Sequence, residues 1–292
     1  MHTLSYSFVD HFNDPSQDIH EAFEFAARAH RMAQAELPGA SGAIWFRGQA
    51  DWHWELIPSL GRPENWPPRI RNLQSQPDKL RQELLDHEAV LLQRFRRDAV
   101  PFVERRILSM WEAIILGQHY GLCTRLLDWT SDVFVALFFA AEEHRDEDAA
   151  VFAYRPLRDW THHLSMFEGQ NPKHPDVADP LRQSGIKIVF PIMIADRLIA
   201  QSGGLTIQDP LKCLMERAQA REVFGQTELD IAQLIRWRLP KESKVTVLDQ
   251  LHRYGTNRRR LFPGLETVAR TLVWQEQFRS RSGGYLSSSL LG

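Results

Sequence analysis

The sequence predicts an α+β domain in which two short, mostly antiparallel sheets form a cleft surrounded by helices. Three observations predict it. Apolar residues recur at three-and-four spacing in several separate segments, as helices with one buried face require. Between them lie short apolar runs of strand length. The composition, 43% hydrophobic and 25% charged over 292 residues, is that of an ordinary globular chain long enough for one large domain.

From the N-terminus, residues 18 to 35 place Ile19, Phe23, Ala26 and Ala27 on one side and end at Pro38-Gly39, which predicts a helix. Ala43 to Phe46 then reads as a strand that runs straight into Arg47-Gly48-Gln49. After a segment broken by prolines, residues 79 to 97 carry Leu80, Leu84, Leu91 and Phe95 on one helical face. A second helix is expected from about Glu104, with Ile107, Trp111, Ile114 and Ile115 as its buried stripe. A third runs over 131 to 144 through Val133, Ala136, Leu137 and Ala140, capped by Thr130 or Ser131. Ala150 to Tyr154, Ile186 to Ile194, Leu205 to Ile207 and Ile235 to Leu239 read as strands, the last half-exposed because it alternates apolar residues with Arg. Residues 156 to 184 are a long polar excursion, and helices return from 246 to 274 around a turn at Tyr254 to Asn257. The expected division is an N-terminal helical lead-in over 1–40, the main domain over 41–240, a helical segment packed on it over 241–280 and a flexible tail over 281–292.

Composition also narrows function. No run approaches the roughly 18 apolar residues of a spanning helix, and the first residues lack the basic-then-apolar order of a secretion signal, so a cytoplasmic protein without membrane contact is expected. With Cys123 and Cys213 as its only thiols, the chain has neither a disulfide framework nor a cysteine zinc site. A net charge of −2 argues against a general nucleic-acid binder, although Arg94, Arg96 and Arg97, or Arg258 to Arg260, are local basic patches. Trp45, Trp52, Trp54, Trp66 and Trp111 are expected in the core.

Three segments carry chemistry. Arg47 ends an apolar strand and cannot shed its proton, so it needs an anion, either a ligand phosphate or a protein carboxylate; Gly48 beside it would let a ligand approach the backbone. Gln118 to Thr130 (QHYGLCTRLLDWT) packs amide, imidazole, phenol, hydroxyl, guanidinium and carboxylate groups around the apolar pair Leu126-Leu127. The structural alternative pairs Asp128 with Arg125 or with Arg47, and makes His119 a satisfied core histidine. Finally, Gln201-Ser202-Gly203-Gly204 leads into a short strand, and backbone amides around glycines can serve as phosphate donors or simply form a turn. A metal-dependent nuclease built on His119 and Asp128 with His162, His163 or His174 lacks any supporting spacing, and no GxSxG elbow points to a serine hydrolase.

Together these segments resemble the FRG domain family. Phe46-Arg47-Gly48 matches its name-giving triplet, and Gln118 to Thr130 matches a run of the form QHYGLPTRLLDWT, with Cys123 in place of the proline. Ala136 to Ala140 (ALFFA), Gln201 to Ile207 and Leu261 to Pro263 extend the resemblance over about residues 40 to 275. The layout is similar to that of ADP-ribosyltransferases, which implies an ADP-ribosyltransferase-like cleft with NAD as co-substrate and no metal. On that resemblance Arg47 contacts NAD phosphate or ribose, with Gly48 and Gln49 beside it, and Tyr120 or Trp129 offers a flat surface to nicotinamide. His119, Thr124, Arg125 and Thr130 complete the cofactor set. Where these transferases carry a catalytic glutamate in a late strand, this chain has Gln201 and no carboxylate as far as Gln208, so Asp128 would supply the negative charge and Gln201 would orient the ribose hydroxyls. The implied role is a bacterial toxin or anti-phage effector that modifies a nucleic-acid or protein acceptor and is held in check by a neutralising partner protein. The alternative is a non-catalytic nucleotide- or nucleic-acid-binding module that signals to a partner.

Overall fold

The computed structural model describes residues 8–11, 13–36, 44–103, 107–155, 179–182, 187–189, 203–211, 233–262, 264–265, 267–269 and 271–273. Gln201, residues 156–178 of the 156–184 excursion and the 281–292 tail lie outside the described residues, as do the histidines at 162, 163 and 174.

The strands are β1 (Phe8–Asp10), β2 (Trp45–Gln49), β3 (Leu126–Thr130), β4 (Ala149–Arg155), β5 (Lys187–Val189), β6 (Gly203–Ile207) and β7 (Gln233–Leu239). They form one seven-stranded sheet in the order β1-β7-β4-β2-β3-β6-β5, antiparallel except for the β1–β7 pair. The two separate sheets expected from the sequence are therefore joined. The join is narrow: β2 pairs with β4 from Trp45↔Tyr154 to Gln49↔Ala150, but with β3 only at Phe46↔Thr130.

The longer helices are α1 (Ala22–Glu36), α3 (Pro77–Asp98), α4 (Met110–His119), α5 (Val133–Ala141) and α6 (Lys241–Arg253), with short turns α2 (Pro68–Arg71) and α7 (Arg258–Leu261). The main core packs α1, α5 and α6 on β2, β4 and β7 through residues such as Phe25, Phe46, Leu137, Trp237 and Val247. A second cluster gathers α3 and α4 over Leu126, Leu205 and Ile207 of β3 and β6. Removing a Leu- or Phe-sized side chain from water stabilises by roughly 1.5–3 kcal/mol, so each of these contacts weighs heavily against chain entropy. In the first turn of α6, the buried Lys244 ammonium donates to the carbonyls of Ala50, Glu143 and His144, tying that helix to the end of β2.

Local chemistry moves several expected boundaries. The second helix starts at Met110, because Ser109 and Glu112 form a reciprocal capping box, and Ile107 is left outside and exposed. The cap of α5 is Asp132, which accepts from Phe134 N; Thr130 Oγ1 accepts from Asp132 N one step earlier. On α1 the buried stripe is Ala22, Phe25, Ala29 and Ala33, and Phe23 is pushed out to meet Phe134 at a tilt and Tyr254 edge-on. Strand β7 is not half-exposed. It lies between β1 and β4, with Arg236 covered by Trp52, whose ring centroid is 3.3 Å from the guanidinium carbon, and with Arg238 paired to Asp18. Of the five tryptophans, Trp45, Trp52, Trp66 and Trp111 are buried and Trp54 stays at the surface against His144. Within the basic patches, Arg96 donates to Leu108 O and Arg258 pairs with Glu142, so both serve internal partners.

Arg47 and Gly48 lie inside β2 and not beyond its end. The backbone that approaches Gly48 is that of α5. A Cβ at position 48 would collide with Ala136 O and stand 2.7 Å from Ala140 N. The expected role of Gly48 in admitting a ligand is thus taken by helix packing. Gly48→Ala must push α5 off the sheet and is expected to cost about 3 kcal/mol, the upper end of overpacking penalties, read as a lowered urea midpoint with an unchanged m-value.

Candidate functional site

β2 and β3 part company immediately after their single registered pair, and a cavity of about 210 Å³ sits over the gap. Its floor comes from Phe46, Arg47 and Gly48 of β2 and Asp128, Trp129 and Thr130 of β3. One wall is the last turns of α4, with Ile115, Gln118 and His119, and the other is α5, with Val135, Ala136 and Phe139; Leu205 of β6 closes the end. Two distant segments expected to meet, the Phe-Arg-Gly strand and the 118–130 block, do meet here. Sequence explains why: Leu127 and Trp129 are buried among Trp45 and Phe152 on one face of the sheet, so alternation turns Asp128 to the other, where it is exposed toward the cavity.

Arg47 reaches across the gap and donates through Nη1 to Asp128 O at 2.7 Å. Among the described residues no carboxylate forms an ion pair with it, and its Nε is buried without a partner. Burial pulls its pKa down to about 10, opposed by the Asp128 carboxylate and helped by Arg62, so it remains a cation at neutral pH. Of the two counter-anions expected for Arg47, the protein carboxylate is not in contact with it among the described residues. Asp128 instead accepts at Oδ1 from Gln118 Nε2, at 2.8 Å. The carbonyl end of that amide, Gln118 Oε1, accepts from the Thr124 hydroxyl. His119 lines the cavity and meets Tyr120 edge-on, with centroids 4.8 Å apart.

Three of the expected cofactor residues are spent elsewhere, and a fourth faces solvent. Arg125 is buried and pairs with Glu88 of α3, Nε to Oε2 at 2.6 Å; the backbone N–H of Arg125 donates to Glu88 Oε1, and Nη2 donates to Pro180 O. Burial holds the Glu88 carboxyl above its usual range while Arg125 pulls it back, the balance of a structural ion pair in the interior. Gln49 is buried and donates to Glu55 O. Thr124 is fully buried and serves Gln118, and Tyr120 projects into solvent beyond the end of α4. Trp129 keeps its place at the cavity, but its ring is buried, its Nε1 donates to Thr206 Oγ1 at 3.0 Å, and Tyr154 packs against it at 5.0 Å. Glu88 is absent from the residues expected to matter, and Gln118, part of the 118–130 block, carries no role of its own in that expectation. Leu80, Leu84, Glu88 and Leu92 recur every four residues, and a carboxylate in that stripe signals a buried basic partner. Among the described residues, no group of three or more His, Cys, Asp or Glu could hold a metal ion, and no helix is long and apolar enough to cross a membrane.

Residues 42–149 match the model of the FRG domain family, a stretch that holds β2, β3, α4, α5 and every cavity residue except Leu205. No curated protein and no solved structure matches the chain. Removing the partner of a buried guanidinium is costly, so Glu88→Ala is expected to lose about 3–5 kcal/mol in chemical denaturation, while the double change Glu88→Met/Arg125→Met recovers part of that loss.

Proposed function

We propose that the cavity between β2 and β3 is a nucleotide pocket of the ADP-ribosyltransferase kind. The observation that carries this reading is Arg47: a partly buried fork, cationic at neutral pH, with one hydrogen bond to a carbonyl, a buried Nε without a partner and no ion pair among the described residues. Such a group is short of an anion, and a diphosphate offers the paired oxygens that a planar guanidinium binds bidentately. Asp128, across the floor, offers an acceptor for ribose hydroxyls and negative charge beside any positive charge that develops on the sugar. The apolar sides of Ile115, Val135 and Phe139 suit a flat ring.

NAD fits this donor set as co-substrate. Bound there, it would supply an activated glycosidic bond for transfer of ADP-ribose. Arg47 would hold its phosphates, Asp128 its ribose, and Gln118 would keep Asp128 in place. The acceptor is a nucleic acid or a protein, in keeping with a toxin or anti-phage effector restrained by a partner protein. A second reading is binding without turnover. It is favoured by residues 203–208, which carry no carboxylate and whose Gln208 is buried and donates to Leu56 O.

The test is thermal unfolding with ADP-ribose and NAD, followed by incubation of the protein with labelled NAD and cell lysate. Ligand at about 100 times Kd should stabilise the parent by about 2.7 kcal/mol. Arg47→Ala should abolish that gain, and Asp128→Asn should abolish label transfer while retaining part of the binding. Stabilisation without nicotinamide release establishes the second reading. No stabilisation by either ligand overturns both.

A further inference from the structure

Asp128 is the end of a directed hydrogen-bond chain, and the chain fixes which way every donor points. A carboxylate only accepts, so the amide nitrogen of Gln118 must face Asp128 Oδ1, which turns Gln118 Oε1 toward Thr124. The Thr124 hydroxyl therefore donates to Gln118, and its oxygen accepts from the backbone N–H of Leu126 at 3.3 Å. Thr124 is fully buried, and its own N–H is held by Ser59 Oγ at 3.0 Å, so the first link stands on fixed backbone. The donors run in one direction, from the Leu126 amide through Thr124 and Gln118 to Asp128.

We infer that Thr124 and Gln118 are positioning residues that lock Asp128 as a pure acceptor with one oxygen, Oδ2, left toward the cavity. Among the described residues no hydrogen bond reaches Oδ2. The site then selects a ligand that carries an anion for Arg47 at one end and a hydroxyl or cationic donor for Asp128 at the other. A ligand with an acceptor at the second position leaves two oxygens facing each other and is refused. The inference rests on the cavity being the binding site, but the lock itself exists without ligand and is measurable without it.

The experiment follows the two side-chain amide protons of Gln118 by NMR in ligand-free protein labelled with nitrogen-15 at glutamine, with the pair assigned by its loss in Gln118→Met. Thr124→Val keeps shape and removes the hydroxyl, freeing the Gln118 amide to turn. The expected result is roughly tenfold faster hydrogen exchange of the amide proton held by Asp128, because the protection of about one hydrogen bond is lost. Thr124→Ser restores the parental rate, which a packing effect alone would not do. Asp128→Ala gives the same acceleration and serves as the reading if Thr124→Val does not fold. A rate unchanged in Asp128→Ala, or equal rates in Thr124→Val and Thr124→Ser, overturns the inference. Failure of ADP-ribose and NAD to bind the parent removes the nucleotide reading and leaves the exchange result standing.

Discussion

The reach of Arg47 across the gap between β2 and β3 is the constraint on which the rest depends. Backbone carbonyls in an interior need donors. Where the ladder lapses after Phe46↔Thr130, the carbonyl of Asp128 finds its donor in a side chain from the neighbouring strand. That choice places a cation at the floor of the cavity, beside the Asp128 carboxylate that strand alternation turns toward Gln118, its donor. A fully paired β2–β3 ladder would leave neither a cavity nor a guanidinium short of anions.

The surrounding fold holds this arrangement from both sides. Behind β2, α5 lies with its backbone against Gly48, so strand and helix move as one body. Behind β3, the Arg125–Glu88 pair ties the strand's entrance to α3, and Gly204 leaves room for the ring of Trp45, which would stand 2.8 Å from any Cβ there. Buried ion pairs are poor sources of net stability, yet moving α3 by a single residue would leave two uncompensated charges inside. The pair therefore specifies register more than it adds energy.

Much of this was legible in residue order, and the exceptions have physical causes. The 118–130 block announced itself by mixing so many functional groups with a buried leucine pair, and its meeting with Arg47 follows. What spacing could not assign was the partner of each group. Arg125 and Arg47 look alike in sequence, but one faces a carboxylate on a helix thirty-seven positions earlier and the other a carbonyl. Strand β1, three residues long and parallel to β7, is too short for any periodicity to show. The single sheet was missed because one registered pair decides between one sheet and two, and no local signal encodes a single rung. Gln49 belongs to the ligand set only by the family resemblance, which carries no information on burial; in the structure it is buried and donates to Glu55 O.

The borrowed donor at the gap also sets terms for any guest. An incoming anion that draws Nη1 of Arg47 to itself strips the Asp128 carbonyl of its hydrogen bond, and that debt counts against capture. A guest content with the remaining N–H groups leaves the bridge standing and the two halves of the sheet clasped. Tenancy of the hollow and closure of the strands are thus one equilibrium, governed by how a single guanidinium divides its five hydrogens.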